Sequence, residues 1–466
     1  MSLLLATSLA GATMALQSAQ VPAPPQSRPV AIVHATVHPV AEGGPATIAD
    51  GHVLLVDGRI ASVGPGLPAS LPPDTRVLDA TGLHVAPGFL VAPTQLGLVE
   101  TLATVTTDDR NEYGTIRPEA VAAIAINPDT DLFPVARAAG ILHALVMPTG
   151  GLIAGQPSLV RLDGWTNENL TVVKEAGVAV NWPLMEPVLA WWTRKPAEEQ
   201  QKKIKQDLDA LEKFALESKA WLDRADASPA TPHDLRFSAM RGVTRDGRPV
   251  FLSCGSAGQI EAALAWASRH GYRPVIVGGP GVAASIPALQ RAKAAVLLNG
   301  IHRLPARDSD IYDEPYALPA RLEAAGIPFA IATGDEPAHE RNLPHHAGTA
   351  AAFGLSKEAA LRSITRSPAE ICGVGDRLGS LEPGKSASLI VTTGDPLEIT
   401  SDVLAAFIDG REVDLGSRHK RLHAKYREKY RQLGLLPEPA PERTVPEAGA
   451  DAAEPAEPAE PDDADD

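Results

Sequence analysis

The two ends of the chain carry the same pattern of short strands and tight turns, and this pattern constrains the fold more than any other feature. From Arg28 to Val85, apolar runs such as GHVLLVDGRIASVG are separated by turns, and Asp57-Gly58 is typical of a hairpin turn. The stretches KSASLIVTTGDPL and VLAAFIDGREVDL repeat this style near the other end, again with an Asp-Gly pair at Asp409-Gly410. A β unit divided between the two ends implies that a second domain is inserted between them.

The middle of the chain, from about Phe89 to Arg377, alternates apolar β-type runs with helical patterns. The runs ILHALVMP, PVFLSCG, PVIVGG, AAVLLNG and PFAIATGD are separated by stretches such as GQIEAALAWASRHGY. This alternation predicts parallel strands joined by crossover helices. The length is close to the roughly 250 residues of a (β/α)8 barrel, in which chemistry takes place at the C-terminal ends of the strands.

These patterns predict an α/β fold in which a (β/α)8 TIM-like barrel is inserted into a composite β-sandwich. The expected divisions are a signal peptide and Pro-rich spacer (1–27), the N-terminal half of the β-sandwich (28–88), the barrel (89–377) with a helical insertion at about 184–225, the C-terminal half of the β-sandwich (378–415), a C-terminal helix (416–436) and a disordered acidic tail (437–466).

The charge of the chain is concentrated in its C-terminal tail. The segment from Pro437 to Asp466 holds eleven acidic residues and one arginine, so it contributes −10 of the formal −15 and leaves −5 for the rest. Such a tail has little to bury and is expected to be disordered. The body lacks the basic face of a nucleic-acid-binding protein, so a nucleic-acid partner is not expected.

The N-terminus, MSLLLATSLAGATMALQSAQ, combines a short apolar run with small residues, as secretory signals do, although no positive residue precedes the run. Together with the spacer VPAPPQSRP it predicts export to the periplasm or outside the cell. The run is too short to span a bilayer, and no other segment of the sequence suggests a membrane span. Cys254 and Cys372 match no disulfide or zinc spacing.

Four motifs resemble the imidazolonepropionase-like branch of the amidohydrolase superfamily. They are VLLVDGRIASVG, VLDATGLHVAPGFLVAPTQLG, FIDGREVDL, and the longest, NLPHHAGTAAAFGLSKEAALRSITRSPAEICGVGDRLGSLEPGKSASLIVTTGDPLEI. With a weaker middle they cover roughly Val30 to Leu415 in the family's order. The resemblance implies a barrel inserted into a β-sandwich, and metal-assisted hydrolysis of amides, lactams and related C–N bonds, usually with zinc. A small amide-like molecule is the ligand that this lineage implies.

The resemblance fails at the metal ligands that the family implies. On the first barrel strand, Pro93 and Gln95 stand where two histidines are expected, and neither is a good zinc ligand. On the fifth strand, Ser253 replaces another histidine, and the sixth strand lacks one near PVIVGGPG. Lys174 is available as a bridging lysine, but an exposed side chain is the better expectation. We therefore expect no metal ligands and no cofactor.

Five residues remain as candidates for a functional site. The resemblance leaves Asp335, in FAIATGDEP, as the surviving acid of the eighth strand and hence as a general base, although such a carboxylate often caps a helix instead. Gln95, Ser253, Gln156 in the Gly-rich PTGGLIAGQP, and Arg341 in the loop after the eighth strand are the expected substrate-binding residues. A phosphate loop at PTGGLIAGQP is disfavoured, because no GK[ST] follows.

Three functions are consistent with this sequence. The first is a protein that has lost the metal site and retains the pocket for binding. The second is an active hydrolase with an unusual, zinc-binding site around Asp335 and the loop histidines His339, His345 and His346. The third is a pseudoenzyme subunit that pairs with an active amidohydrolase homologue, and a homo-oligomer is also compatible with the sequence.

Overall fold

The computed structural model describes residues 20–306, 310–334, 336–438 and 443–448. Its strands are β1 Val30–Val37, β2 Ile48–Val56, β3 Arg59–Pro65, β4 Arg76–Asp79, β5 His84–Pro87, β6 Phe89–Thr94, β7 Ile141–Val146, β8 Ile153–Gly155, β9 Ser158–Arg161, β10 Thr171–Val173, β11 Val178–Asn181, β12 Pro249–Ser253, β13 Arg273–Gly278, β14 Ala295–Asn299, β15 Phe329–Ala332, β16 Leu389–Thr392, β17 Val403–Ile408, β18 Arg411–Glu412 and β19 Glu447–Ala448.

The helices alternate with the central strands. They are α1 Ala122–Ala125, α2 Leu132–Arg137, α3 Asn167–Leu170, α4 Ala197–Ala227, α5 Leu235–Ala239, α6 Arg241–Arg245, α7 Ala257–His270, α8 Ile286–Ala292, α9 Glu314–Ala324, α10 Leu343–Ala352, α11 Lys357–Ser363, α12 Arg366–Ile371 and α13 Arg418–Gln432. Short 3₁₀ turns lie at Val105–Thr107, Ala283–Ser285 and Pro337–Asn342.

A nine-stranded sheet joins the two ends of the chain. Its main path is β18-β17-β16-β5-β1-β2-β3, and β4 pairs with both β1 and β19. The link between the ends is the antiparallel pairing of β16 with β5, in which Leu389 lies opposite Pro87. The two halves with matching strand patterns therefore belong to one sheet, as the sequence predicted.

Two further sheets, rich in parallel strands, lie between these halves. One has the order β10-β9-β7-β6, with β6 and β7 parallel; the other has the order β15-β14-β13-β12-β11-β8, with β11 to β15 parallel. Strand β6 of the first sheet packs against β15 of the second. Strands and helices alternate here as the sequence predicted, and the described strands form two separate hydrogen-bonded ladders.

The side chains between these two sheets form a packed apolar core. Every residue of β6, β7 and β15 is buried, as expected for strands covered on both faces. Inward-pointing Leu90, Leu145, Phe251, Val275 and Leu297 belong to one cluster, which is closed at one end by residues on and after α12. The interior is therefore filled by side chains and is not a channel.

The long helix α4 covers most of the predicted insertion and ends at Ala227, just beyond it. It begins after Pro196, and Glu198 and Glu199 in its first turn suit the positive end of the helix dipole. The segment before it leaves Trp191 and Trp192 exposed, at 93% and 65%.

The C-terminal tail differs from the expectation of disorder. Residues 443–448 are described, and Glu447 and Ala448 form β19, which pairs antiparallel with Leu78 and Val77 of β4. Arg76 forms an ion pair with Glu447 at 2.5 Å. Composition alone misses such a strand, because an edge pairing depends on backbone hydrogen bonds more than on apolar content. Residues 439–442 and 449–466 of the predicted tail lie outside the described residues.

The first described residues dock on the folded body. Backbone N–H of Ala23 donates to Asp163 Oδ2 at 3.1 Å, and Ala23 is buried. The predicted leader, residues 1–19, lies outside the described portion of the chain. Among the described helices, none combines the length and the apolar character that crossing a membrane requires.

Candidate functional site

Seven parallel strands, β6, β7 and β11 to β15, bring residues at or just after their C-terminal ends to one cavity of about 480 Å³. This is the end of a parallel α/β sheet at which ligands bind. Its polar lining comes from Thr94, Gln95, Thr149, Asn181, Ser253, Asn299 and Glu340. Six of these seven side chains are neutral hydroxyls or carboxamides.

Gln95 is held in place by a neighbouring ion pair. Arg110 donates from Nη1 to Gln95 Oε1 at 3.1 Å, and its Nε and Nη2 contact the two carboxylate oxygens of Asp108 at 2.7 and 2.6 Å. These hydrogen bonds lower the pKa of Asp108 below its usual value, so the pair is charged at neutral pH. The amide oxygen of Gln95 is therefore occupied, while its amide NH₂ has no hydrogen bond to the described residues.

Three lining residues are the last residues of their strands. Asn181 ends β11, Ser253 ends β12 and Asn299 ends β14. Asn181 Nδ2 donates to the carbonyls of Gly150 and Gly151 at 3.1 and 3.0 Å, which fixes the loop after β7. Because parallel strands end at one level, each of these three strands delivers one hydrogen-bonding side chain to the cavity wall.

The wall between β14 and β15 depends on two glycines in left-handed conformation. Gly300 has φ +79° and Gly334 has φ +68°, and a Cβ at either position would come within 2.4 Å of the other loop's backbone. Only glycine permits this close approach. It brings the loop of Gly334 directly beside Asn299.

Glu340 is the carboxylate that the described residues place at the cavity. It is buried, and Thr333 Oγ1 donates to its Oε2 at 2.6 Å. Thr333 directly follows β15, so the strand and the 3₁₀ turn Pro337–Asn342 are joined through this bond. A buried carboxylate of this kind is a candidate hydrogen-bond acceptor for a ligand.

The rim beside Ser253 is fixed by Gln259 on α7. Gln259 Oε1 accepts from the backbone N–H groups of Gly255 and Ser256 at 2.9 and 3.0 Å, and Nε2 donates to the carbonyls of Trp182 and Pro183 at 2.9 and 3.1 Å. One buried amide thus ties the loop after β12 to the loop after β11.

The structure brings together only some of the predicted site residues. Gln95 and Ser253 line the same cavity, as does Pro93. Asp335 lies outside the described residues, although Gly334, which precedes it, lines the cavity.

Gln156 and Arg341 do not line this cavity, so their predicted substrate-binding role has no support from the described geometry. Gln156 is buried, and its backbone bonds to Ala120 and Ala122 beneath the loop that follows β6. Arg341 donates locally to the carbonyl of Ala338. Both predictions rested on the expected path of a loop, which hydrophobic periodicity does not encode.

The loop histidines do not line the cavity either. His346 is buried and stacks on His302 with ring centroids 3.8 Å apart, and its Nδ1 accepts from the backbone N–H of Ile301 at 3.4 Å. Burial lowers the pKa of His302 and of His345, so these rings are neutral at pH 7. His339 lies in the 3₁₀ turn that carries Glu340.

The described cavity residues do not fit a divalent metal. Zinc sites use imidazole, thiolate and carboxylate ligands, usually three from the protein in catalytic sites. Burial raises the pKa of the Cys254 thiol to about 12, so this lining residue stays protonated. Among the described residues, no three His, Cys, Asp or Glu side chains are grouped so that they could hold a metal ion. Lys174 is exposed, as expected, and cannot bridge metals there.

Sequence reasoning missed Asn181, Asn299, Thr149 and Glu340. A usable signal existed for the two asparagines, since each is the last polar residue of an apolar run, VAVN and AVLLN. Glu340 had no such signal, because it reaches the cavity through a turn and not from a strand end.

Comparisons with known proteins agree on the lineage. The sequence model described as the Amidohydrolase family matches residues 269–413. The chain is 22% identical over 405 residues to the amidohydrolase tasK of Hapsidospora irregularis, covering 77% of this chain and 39% of that protein. It is 39% identical over 82 residues to imidazolonepropionase of Syntrophobacter fumaroxidans, covering 17% of this chain and 19% of that protein. The chain thus spans well under half of the length of both relatives.

Among solved structures, an amidohydrolase from Thermotoga maritima is similar with a TM-score of 0.71 and 24% sequence identity. The match covers 83% of this chain and 99% of that chain. At this identity the likeness concerns the fold.

Proposed function

The chain belongs to the amidohydrolase superfamily and is similar to its imidazolonepropionase-like branch, and from this premise we propose that it binds a small, neutral amide-like molecule without metal-assisted hydrolysis. The cavity at the strand ends is the binding site in this proposal. Gln95, Asn181, Ser253 and Asn299 are its hydrogen-bonding groups.

One observation carries this proposal: among the described residues, six of the seven polar side chains that line the cavity are neutral. Carboxamides and hydroxyls both donate and accept hydrogen bonds, so they match an amide, lactam or cyclic urea, which also offers both. The same groups are poor zinc ligands. A metal lowers the pKa of bound water from about 15.7 to about 7, and a general base alone contributes roughly 10²–10⁴-fold, which is less than that loss.

The lineage also supports two proposals about architecture and location. The two central sheets make up a (β/α)8-type barrel, and the nine-stranded sheet belongs to a composite β-sandwich. This is supported by the packing of β6 against β15 and by the fold of the Thermotoga relative. Export to the periplasm or cell exterior rests on the N-terminal sequence, and N-terminal sequencing of protein from its native host tests it.

The decisive experiment pairs elemental analysis with ligand binding. Purified protein is dialysed and its zinc, iron and manganese are measured, and a panel of neutral lactams, cyclic ureas and their carboxylate analogues is screened by thermal shift. We expect no stoichiometric metal and a preference for neutral members. Asn299→Asp should weaken binding at least tenfold, because one charged acceptor replaces a donor and an acceptor.

Glu358→Gln, on the exposed start of α11, is the control substitution and should bind like the parent. One metal per chain, with hydrolysis of a lactam that is abolished by Asp335→Asn, would overturn the proposal in favour of an active hydrolase. A preference for charged analogues would reject the neutral-ligand assignment alone.

The exposed apolar segment before α4 supports a second candidate function, that of a subunit. Leu189 and Trp191 are 84% and 93% exposed, and the segment follows β11, which ends at the cavity. Exposed apolar patches of this kind mark protein–protein contacts. In this candidate function a second copy or an active homologue covers the segment; a monomer by light scattering, together with no co-purifying homologue, would reject it.

A further inference from the structure

The two Asp-Gly turns that mark the ends of the chain meet at a second cavity, which the proposed binding site does not use. Its volume is about 540 Å³, and it shares no lining residue with the cavity at the strand ends. Gly58 of the first turn faces Asp409 of the second, and a Cβ at Gly58 would lie 3.0 Å from the Asp409 carbonyl oxygen. On the other side the cavity is closed by β7, β9 and β10, through His143, Arg161 and Val172.

Four arginines line this cavity, against two carboxylates. The arginines are Arg59, Arg161, Arg377 and Arg411, and the carboxylates are Asp57 and Asp409. Burial lowers the pKa of His143 to about 4, so this histidine adds no charge at pH 7. The lining therefore carries an excess of positive charge, which amounts to one charge when Asp163, the ion-pair partner of Arg411, is counted.

Two of the arginines form ion pairs between the nine-stranded sheet and the central sheets. Arg161 Nη1 lies 2.5 Å from Asp409 Oδ2, and Arg411 Nη1 lies 3.0 Å from Asp163 Oδ2. Even so, Arg161 Nε is buried and has no hydrogen-bond partner among the described residues. Because this N–H has no accessible surface, an anion in the cavity would contact the exposed part of the Arg161 side chain, which is 29% accessible.

The other two arginines are free to bind. Arg59 Nη1 donates to the carbonyl of Gly384 at 2.7 Å and forms no ion pair within the described residues. Within the described parts of the chain, the Arg377 side chain forms one ion pair, a 3.8 Å contact with the exposed Asp376. Guanidinium groups bind oxyanions through pairs of parallel N–H bonds, so three of them around one space suit a multi-oxygen anion.

We propose that this cavity binds a small, multi-oxygen anion between Arg59, Arg161 and Arg377. The negative charge follows from Arg59 and Arg377, which lie on the cavity wall without a close carboxylate partner among the described residues. The location implies that the bound anion joins the nine-stranded sheet to the central sheets, because its ligands come from both.

Inorganic phosphate at pH 7.5 is the probe, with ionic strength held constant by sodium chloride. Isothermal titration should give saturable binding, and the unfolding temperature should rise with phosphate concentration. The double variant Arg59→Gln/Arg377→Gln should bind phosphate at least tenfold more weakly, because each substitution removes charge-assisted hydrogen bonds. Both side chains reach the surface, so the variant should keep the parent's circular dichroism spectrum.

The control is Arg241→Gln/Arg269→Gln, which removes the same charge from exposed positions outside the cavity. It should bind phosphate like the parent. If both double variants bound phosphate equally weakly, phosphate binding would depend only on the net charge of the protein, and the proposal would be overturned. The absence of saturable binding would also overturn the proposal. So would phosphate binding that is abolished by Asn299→Asp in the other cavity and unaffected by Arg59→Gln/Arg377→Gln. Succinate in place of phosphate identifies whether a dicarboxylate occupies the same site.

Discussion

His143 is a buried histidine beside the Arg161–Asp409 pair, and its titration links this cluster to stability. Burial is the largest cause that lowers its pKa, to about 4, with Arg161 lowering it further and Asp409 opposing the shift. Between pH 6.5 and pH 4 the unfolded chain therefore binds a proton that the folded protein does not. The free energy of unfolding therefore decreases as pH falls through this window, and the stability that the neutral His143 contributes is fully present above pH 6.5.

We predict that His143 accounts for about 2 kcal/mol of stability lost between pH 7.5 and pH 5.0. The free energy of unfolding is measured by urea titration at both pH values for the parent and for His143→Gln. The stability of the variant should depend less on pH by that amount, because Gln has no titratable group. His233→Gln is the control, because His233 is not among the groups that shift the pKa of His143. Identical pH dependence in the parent and in His143→Gln would refute the prediction.

Helix α7 shows how an element positions the rim of the binding site. Its first turn has a capping box, in which Ser256 Oγ accepts from Gln259 N–H at 3.3 Å and the Gln259 side chain accepts from the Ser256 backbone. Gln259 additionally donates to two carbonyls after β11, so the same residue starts the helix and connects two strand ends.

We predict that Gln259→Ala costs about 2–4 kcal/mol of stability, because it leaves two buried carbonyls and two N–H groups without partners. Ser256→Ala, which removes only the cap bond, should cost about 1 kcal/mol. Chemical denaturation measures both. If the two substitutions cost the same, the link between the strand ends contributes nothing and only the cap matters.

At the scale of elements, the sequence predicts what is local or periodic. The alternation of apolar runs and helices correctly predicted the parallel strands. The family resemblance pointed to Gln95 and Ser253, and both line one cavity. Loop paths are not periodic, and Gln156 and Arg341, which were chosen from loops, do not line this cavity. Glu340 reaches the cavity only through the fold of a turn, which depends on its bond to Thr333.

For the whole molecule, the decisive arrangement is one sheet built from both ends of the chain. Pairing of β5 with β16 and the meeting of the two Asp-Gly turns close the molecule around the central sheets. Such a closure could be predicted because both halves repeat one strand pattern. Strand β19 could not, because its segment has the composition of a disordered tail and its order depends on partners on β4.

The edge position of β19 leads to the last prediction, which compares two shortened chains. A chain that ends after Ala448 should be as stable as the full chain, because the removed residues have almost nothing to bury. A chain that ends after Glu438 loses the pairing with β4, the Asp79 N–H bond to the Pro446 carbonyl at 2.9 Å and the Arg76–Glu447 ion pair.

Val445, which packs partly buried against the core of the nine-stranded sheet, is lost with the shorter chain as well. Because the ion pair is partly exposed and adds little, most of the expected loss comes from the backbone bonds and this side chain, about 1–3 kcal/mol in total. Unfolding in urea measures the difference between the two chains. Glu447→Ala alone should cost less than about 1 kcal/mol. Equal stability of both shortened chains would mean that β19 adds no stability, and an equal loss in both would place the stabilising contact beyond Ala448.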